Sequence, residues 1–186
     1  SEMCIRDRNY CVHEMFAEKQ ADTLVIRFND TKGIWSKWQP AAGDTVRFKE
    51  GASDTGKMFI HSMKPENGLF TIRAMSMPKT AKIRKSKSWE GVRFLQLANE
   101  FAGNHGLTFK NYGCEDQVYP YIKQSNEGDF SLFSRLCMLE GCQMLIFDGS
   151  LLAYNEHYIE QQEPAGGLTV DENGVFTYED LSLIHI

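Results

Sequence analysis

The chain has 186 residues, of which 42% are hydrophobic, 12% aromatic and 24% charged, a composition that suits a packed globular protein and has too many aromatics for a disordered one. No apolar run approaches the roughly 18 residues of a membrane-crossing helix, and the net charge of −5 argues against a general nucleic-acid coat. Residues 1–135 carry 20 cations against 16 acids, net +4, whereas residues 136–186 hold nine acids and no Lys or Arg.

In chain order, the first segment already reads poorly as part of a fold. Residues 1–8, like 181–186 at the other end, resemble peptides translated from sequencing-adaptor DNA, and neither has the build of a signal peptide. Both are expected to lie outside the fold, with the gene running further in at least one direction. Residues 9–78 read as short strands. Over 21–28, Leu24, Ile26 and Phe28 share one face and Thr23, Val25 and Arg27 the other, the period of a strand. Residues 45–49 alternate again, and 57–61 and 69–74 form two more strands joined across Pro65-Glu66-Asn67-Gly68. Strands at this spacing predict a small sandwich or barrel. Cys11-Val12-His13 offers two metal positions on one strand, but no further ligands stand near it in sequence.

The character changes at Pro78. Lys79, Lys82, Arg84, Lys85 and Lys87 form a basic linker, with Trp89 beside it for stacking. The run is short for a nucleic-acid face, and a solvated linker or a positive patch for a neighbouring subunit fits it better. A helix is expected from Ser88 as N-cap, with Glu90 against its dipole and Phe94, Leu95, Ala98, Phe101 and Ala102 as its buried stripe. Gly103 or Gly106 can close it. A loop rich in Gly, Tyr and Pro leads to an extended stretch over 118–124.

The second helix is expected to start at Ser125 or Asn126, with Glu127 and Asp129 in an acidic first turn. Leu132, Phe133 and Leu136 make its core face, Cys137 and Leu139 extend it, and Gly141 ends it. Glu127 and Asp129 invite comparison with a glycosidase pair, but acids in a first turn serve the dipole and the cap. Arg135, about two turns further along the same helix, is read as a close partner of neither. Asp148-Gly149 between two apolar runs predicts a hairpin with a type I′ turn. Residues 155–180 alternate Gly, Asn and acids with strand-like pieces such as 174–178. Apart from Cys4 in the first segment, Cys11, Cys114, Cys137 and Cys142 form no Cys-x-x-Cys pair and read as free, mostly buried thiols. Gly-rich phosphate loops, His-Glu-x-x-His and Gly-x-Ser-x-Gly do not occur. No catalytic, metal or cofactor residue is assigned.

One block stands out. Tyr121-Ile122-Lys123-Gln124-Ser125-Asn126-Glu127-Gly128-Asp129 leads to Phe133-Ser134-Arg135-Leu136, then Glu140-Gly141-Cys142 and Phe147-Asp148-Gly149-Ser150-Leu151. It resembles the late control protein D family of phage tails, baseplate hub proteins whose block recurs in the hub part of type VI secretion spike proteins. Ala21-Asp22-Thr23-Leu24, Trp38-Gln39-Pro40, Gly43-Asp44-Thr45-Val46, Lys87-Ser88-Trp89-Glu90 and Asn104-His105-Gly106-Leu107 agree in the same order, so the resemblance spans about residues 9–180.

The resemblance implies an α+β, mainly β fold. A tail-tube-like barrel would occupy 9–78, the basic linker with two helices and a hairpin 79–160, and the start of a second barrel 161–180. It implies a non-enzymatic baseplate hub without cofactor, assembled in the host cytoplasm and placed in the virion tail. Its partners would be two further copies of itself in a homotrimer, the tail tube protein and the spike, with no membrane and no specific nucleic acid. Trp89, Phe94, Leu95, Phe133 and Leu136 would hold the helical part together. Asp129 and Arg135 would orient the second helix or meet a neighbour, and Gly141, Asp148 and Gly149 would shape its turns. The hub segment of a type VI or tailocin spike, a tail-associated cell-wall hydrolase and a small nucleic-acid-binding barrel are the alternatives. The +4/−9 split suits heterologous contacts in a ring, and equally a solvated acidic edge.

Overall fold

The computed structural model describes residues 8–16, 21–38, 40–51, 53–163, 168–170 and 176–178. Apart from Arg8, the two expected foreign segments lie outside the described residues, as does most of 164–180.

Alternation builds the first unit. Strands β1 (Arg8–Glu14), β2 (Thr23–Asn29), β3 (Thr45–Val46), β6 (Met58–Glu66) and β7 (Leu69–Met75) make one antiparallel sheet in the order β1-β2-β7-β6-β3. Strands β4 (Lys49–Glu50) and β5 (Ser53–Asp54) pair separately. The period of two sets Leu24 opposite Ala74, Ile26 opposite Ile72 and Phe28 opposite Phe70, all buried on one face. A short helix, α1 (Ile34–Trp38), covers that face with Trp35, whose ring stacks on Phe28 at a centroid distance of 3.8 Å. Asp30 anchors the helix by accepting hydrogen bonds from the amides of Trp35 (2.8 Å) and Ser36 (3.0 Å).

The sheet curls into a half-barrel, with β1 and β3 as its edges among the described residues. Two local expectations change. The strand expected over 45–49 divides into β3 and β4. The turn expected over 65–68 tightens to Asn67-Gly68, both at positive φ (50° and 73°), with Pro65 and Glu66 still paired in β6.

In the second unit, β8 (Lys85–Arg93) pairs antiparallel with β10 (Val118–Glu127). The hairpin of β11 (Gln143–Phe147) and β12 (Ser150–Tyr154) takes up β9 (Thr108–Tyr112) parallel to β12. Helices α2 (Phe94–Asn104) and α3 (Asp129–Leu139) each touch both sheets. Phe133 is the centre of the core, with Phe94, Phe101 and Phe109 ring to ring around it at 5.2, 6.3 and 6.2 Å. The chain continues through α4 (Glu156–Glu160) to an antiparallel pair of β13 (Leu168–Val170) and β14 (Phe176–Tyr178).

Several expectations are corrected here. The basic run is not a linker but a 3-10 turn (Lys79–Lys82) followed by β8, so Ser88 and Glu90 lie in a strand and cap nothing. α2 starts at Phe94, and Asp116 takes the capping role by accepting a hydrogen bond from the Leu95 amide at 2.9 Å. The stripe of α2 is Phe94, Leu97, Ala98, Phe101 and Ala102; Leu95 is only half-buried at its margin. Ser125, Asn126 and Glu127 belong to β10, so α3 begins at Asp129 with Gly128 before it. Cys137 joins Leu132, Phe133 and Leu136 in the core, but Leu139 is 70% exposed. Strand β9 fell within the expected loop. Gly106 and Gly141 both close their helices, with Leu107 N–H bonding Ala102 O (2.9 Å) and Cys142 N–H bonding Cys137 O (2.8 Å).

Strand β6 serves both cores. Met58 and Ile60 face the sheet's own core, and Phe59, pointing the other way, joins the helical one. The hairpin tip reinforces this junction. Asp148 adopts the positive φ (44°) that its turn requires and accepts a hydrogen bond from the Lys57 amide at 2.7 Å. Gly56 permits the approach, since a Cβ there would stand 2.9 Å from the Asp148 Cβ.

Candidate functional site

The resembling block folds into a polar clasp. Asp129, the first residue of α3, is 2% exposed, and a carboxylate so buried must be hydrogen-bonded. Its Oδ1 accepts from Gln124 Nε2 (2.9 Å), and its Oδ2 from Lys85 Nζ (3.0 Å), His105 Nε2 (3.1 Å) and Asn104 Nδ2 (3.3 Å). One carboxylate thereby fastens the end of α2, the start of β8 and the strand β10 to the start of α3. Burial acts to raise its pKa, but the bonds from Gln124, Lys85 and Asn104 outweigh burial and hold it below the usual carboxylate range.

His105 extends the clasp. Its Nε2 must carry the proton given to Asp129, so Nδ1 accepts from the Thr80 hydroxyl at 2.9 Å. Burial keeps this imidazole below the usual histidine range, against the opposing pull of Asp129. Thr80, His105 and Asp129 thus have the connectivity of a nucleophile, base and acid. In this structure the same bonds tie elements together. The carboxylate is already shared by four side chains, and Phe130 packs on His105 with ring centroids 4.9 Å apart. Two surface grooves are lined by none of Thr80, His105 and Asp129. One of about 390 Å³ runs along Tyr10, Cys11, His13 and Phe48, and one of about 320 Å³ runs between Met77, Phe130, Met144 and Leu145.

Arg135 corrects the sequence reading. Because Glu127 ends β10 rather than entering the helix, it lies beside α3 and accepts a 2.8 Å hydrogen bond from Arg135 Nη2. Phe94, Phe133 and Leu136 are fully buried, and Trp89 packs edge-on to Phe101 while donating to Glu100 at 3.1 Å. Asp148 and Gly149 form the turn that reaches the sheet unit, and Gly141 ends α3.

Cys11 and His13 line the first groove, and among the described residues no cluster of three or more His, Cys, Asp or Glu is placed to hold a metal. Cys11, Cys114, Cys137 and Cys142 form no disulfides, and burial pushes the Cys114 and Cys137 thiols up and out of the reactive range. Thr80, Lys85, Asn104 and His105 were not singled out as site residues by sequence reasoning. The signals present are that Lys85 belongs to the basic run and that Asn104-His105, like Gln124, falls within the segments that resemble the family.

No family model matches the sequence, and no curated protein matches it. Solved structures do. A 43 kDa tail protein of prophage MuSo2 from Shewanella oneidensis is 15% identical with a TM-score of 0.54, over 75% of this chain and 48% of that one. An Escherichia coli component of the type VI secretion system, itself structurally similar to the T4 bacteriophage tail proteins gp27 and gp5, is 13% identical with a TM-score of 0.55, over 79% and 49%. The prophage tail protein gp18 of Listeria monocytogenes is 11% identical with a TM-score of 0.56, over 91% and 60%. The chain shares the fold of these tail and secretion proteins. It spans about half the length of the first two.

Proposed function

We propose that this chain is the amino-terminal part of a phage baseplate hub of the late control protein D type, a non-enzymatic adaptor between the tail tube and the central spike. The observation that carries the reading is that the fold shared with phage tail proteins contains, at the resembling block, a clasp whose polar groups are spent on holding elements together. On this reading residues 9–78 are the tube-like barrel of the first hub domain, 79–160 its helical companion and 161–180 the start of a second barrel. The protein would assemble in the host cytoplasm as a homotrimer and work in the virion tail.

Light scattering on the complete product of the gene tests the proposal. A trimer is expected, and a monomer over a wide concentration range overturns it. Peptidoglycan suspensions should stay turbid in its presence, and clearing them would favour a hydrolase instead. The hub segment of a type VI or tailocin spike is the second reading, favoured by the similarity to the Escherichia coli secretion component. The sequence encoded downstream decides between the two.

A further inference from the structure

Part of the uneven charge of the sequence separates, in the helical unit, to two opposite ends. At one end α2 finishes, α3 starts and Thr80 of the 3-10 turn bonds His105. Lys79, Lys82 and Arg84 all stand exposed there, and none has a carboxylate partner among the described residues. Ile83, 57% exposed, lies in their midst. Their field reaches inward: after burial, the charges of Lys82 and Lys79 help to depress the His61 imidazole.

The other end is where α2 starts, α3 finishes and β9 ends. There Asn155 N–H bonds Tyr112 O at 2.9 Å, and Gly113 lies against the Tyr158 ring. This seats α4 at that end, with Glu156, Glu160 and Glu163 exposed around a Tyr158 that is itself 42% exposed. His157 stands 3.8 Å from Glu160, and Arg93, just before α2, is paired with Asp116 at 2.7 Å. The eleven residues of α2 separate the two ends by about 16 Å.

A cationic end with an exposed aliphatic side chain and an acidic end with an exposed aromatic one, at opposite poles of one unit, complement each other but cannot meet within one chain. We infer that a second copy of this chain docks head to tail, its Glu156, Glu160 and Glu163 on the Lys79, Lys82 and Arg84 turn of its neighbour, with Tyr158 against Ile83. Such a contact is heterologous, and closes only through a rotation. It names the surfaces that would join copies in the proposed hub, and so rests on that reading.

Charge reversal in the complete gene product tests it. The triple variant K79E/K82E/R84E and the triple variant E156K/E160K/E163K should each weaken self-association at least tenfold. Combining all six reversals should restore it, since the poles are then exchanged. Mixing the two triple variants should give mixed pairs that neither forms alone but no closed ring of three, since such a ring keeps one like-charged contact. Raising the salt from about 50 to about 500 mM should weaken the wild type in the same direction. Unchanged melting temperatures confirm that the variants fold. If the wild type is a trimer and the triple variants match it, this contact is overturned while the hub reading stands. If all six reversals fail to restore association, the pairing of these two poles is overturned. A monomeric wild type overturns both.

Discussion

The sheet unit and the helical unit are held in order by different means. The sheet's core ladder is apolar, with the buried polar residues Asp22, Asp30, Thr55 and Ser76 each just beyond a strand end, and its register follows from Leu24, Ile26 and Phe28 meeting Ala74, Ile72 and Phe70. A slip of one residue would turn all of them to solvent. The helical core is as apolar around Phe133, but the angle at which α3 leaves β10 is fixed by the Asp129 carboxylate and its four donors. Apolar packing tolerates small adjustments, whereas a buried carboxylate is satisfied in few geometries. The comparison teaches that alternation places strands, and that a buried polar contact places helices.

The strongest way to break that comparison is in the apolar part. Leu136 is 3% exposed and faces Phe133's ring cluster. Leu136→Asp introduces a charge with no donor in reach and should cost more than about 4 kcal/mol, abolishing cooperative melting of the helical unit. An unchanged thermal transition would refute the assigned face of α3.

Asp129→Ala comes next. It leaves Lys85, Gln124 and His105 to face a buried site without an acceptor, and about 2–3 kcal/mol of stability should be lost in urea titrations. Asp129→Asn keeps an acceptor oxygen and should lose less. Equal losses from the two would mean that neither side-chain volume nor a remaining acceptor oxygen matters there, and that the negative charge alone carries the clasp.

Acid provides a third test. His105 titrates lower when folded than when unfolded, so the unfolded chain binds its proton first. Stability is then complete above about pH 6.5 and declines as pH falls through that value. His61, also lowered mainly by burial, contributes in the same sense. Asp129 is lowered too, and Asp54, chiefly through its hydrogen bond from Arg47, is brought to about 2. Their contribution is present above about pH 4 and is lost below it. Asp22, raised by burial, runs the other way and blunts this limb. Melting temperature should therefore fall in two steps, the upper one reduced by His105→Gln and the lower one by Asp129→Asn. A profile flat from pH 7 down to pH 3 would contradict the clasp.

Legibility followed the same division. Strands β2 and β7, the Asp148-Gly149 turn and the core face Leu132, Phe133, Leu136 could be read because each is a local pattern of period or turn chemistry. Ser88 looked like an N-cap for the same local reason, and failed because pairing of Trp89 with Ile122 and of Glu90 with Tyr121 draws that segment into β8. The parallel seating of β9 beside β12 depends on residues more than forty apart, and nothing local marks it. The clasp is the least visible: the resembling block marks Asp129, but Thr80, Lys85 and His105 are of types usually found on surfaces and become its partners only after the chain has folded.

The smallest predicted effect sharpens the comparison most, because it lies beside the clasp and differs from it in burial and in the number of donors. Arg135 and Glu127 meet at 2.8 Å, as close as any contact to Asp129, but the Arg135 side chain is 53% exposed against 2% for Asp129. Water screens the pair and solvates either partner when the other is removed. Arg135→Ala should therefore cost about 0.5 kcal/mol or less, and the cost should vanish in high salt, while that of Asp129→Ala persists. Should Arg135→Ala destabilise as much as Asp129→Ala in the urea titration, burial would not be what separates the two contacts, and the Glu127 pair would have to be counted as part of the clasp.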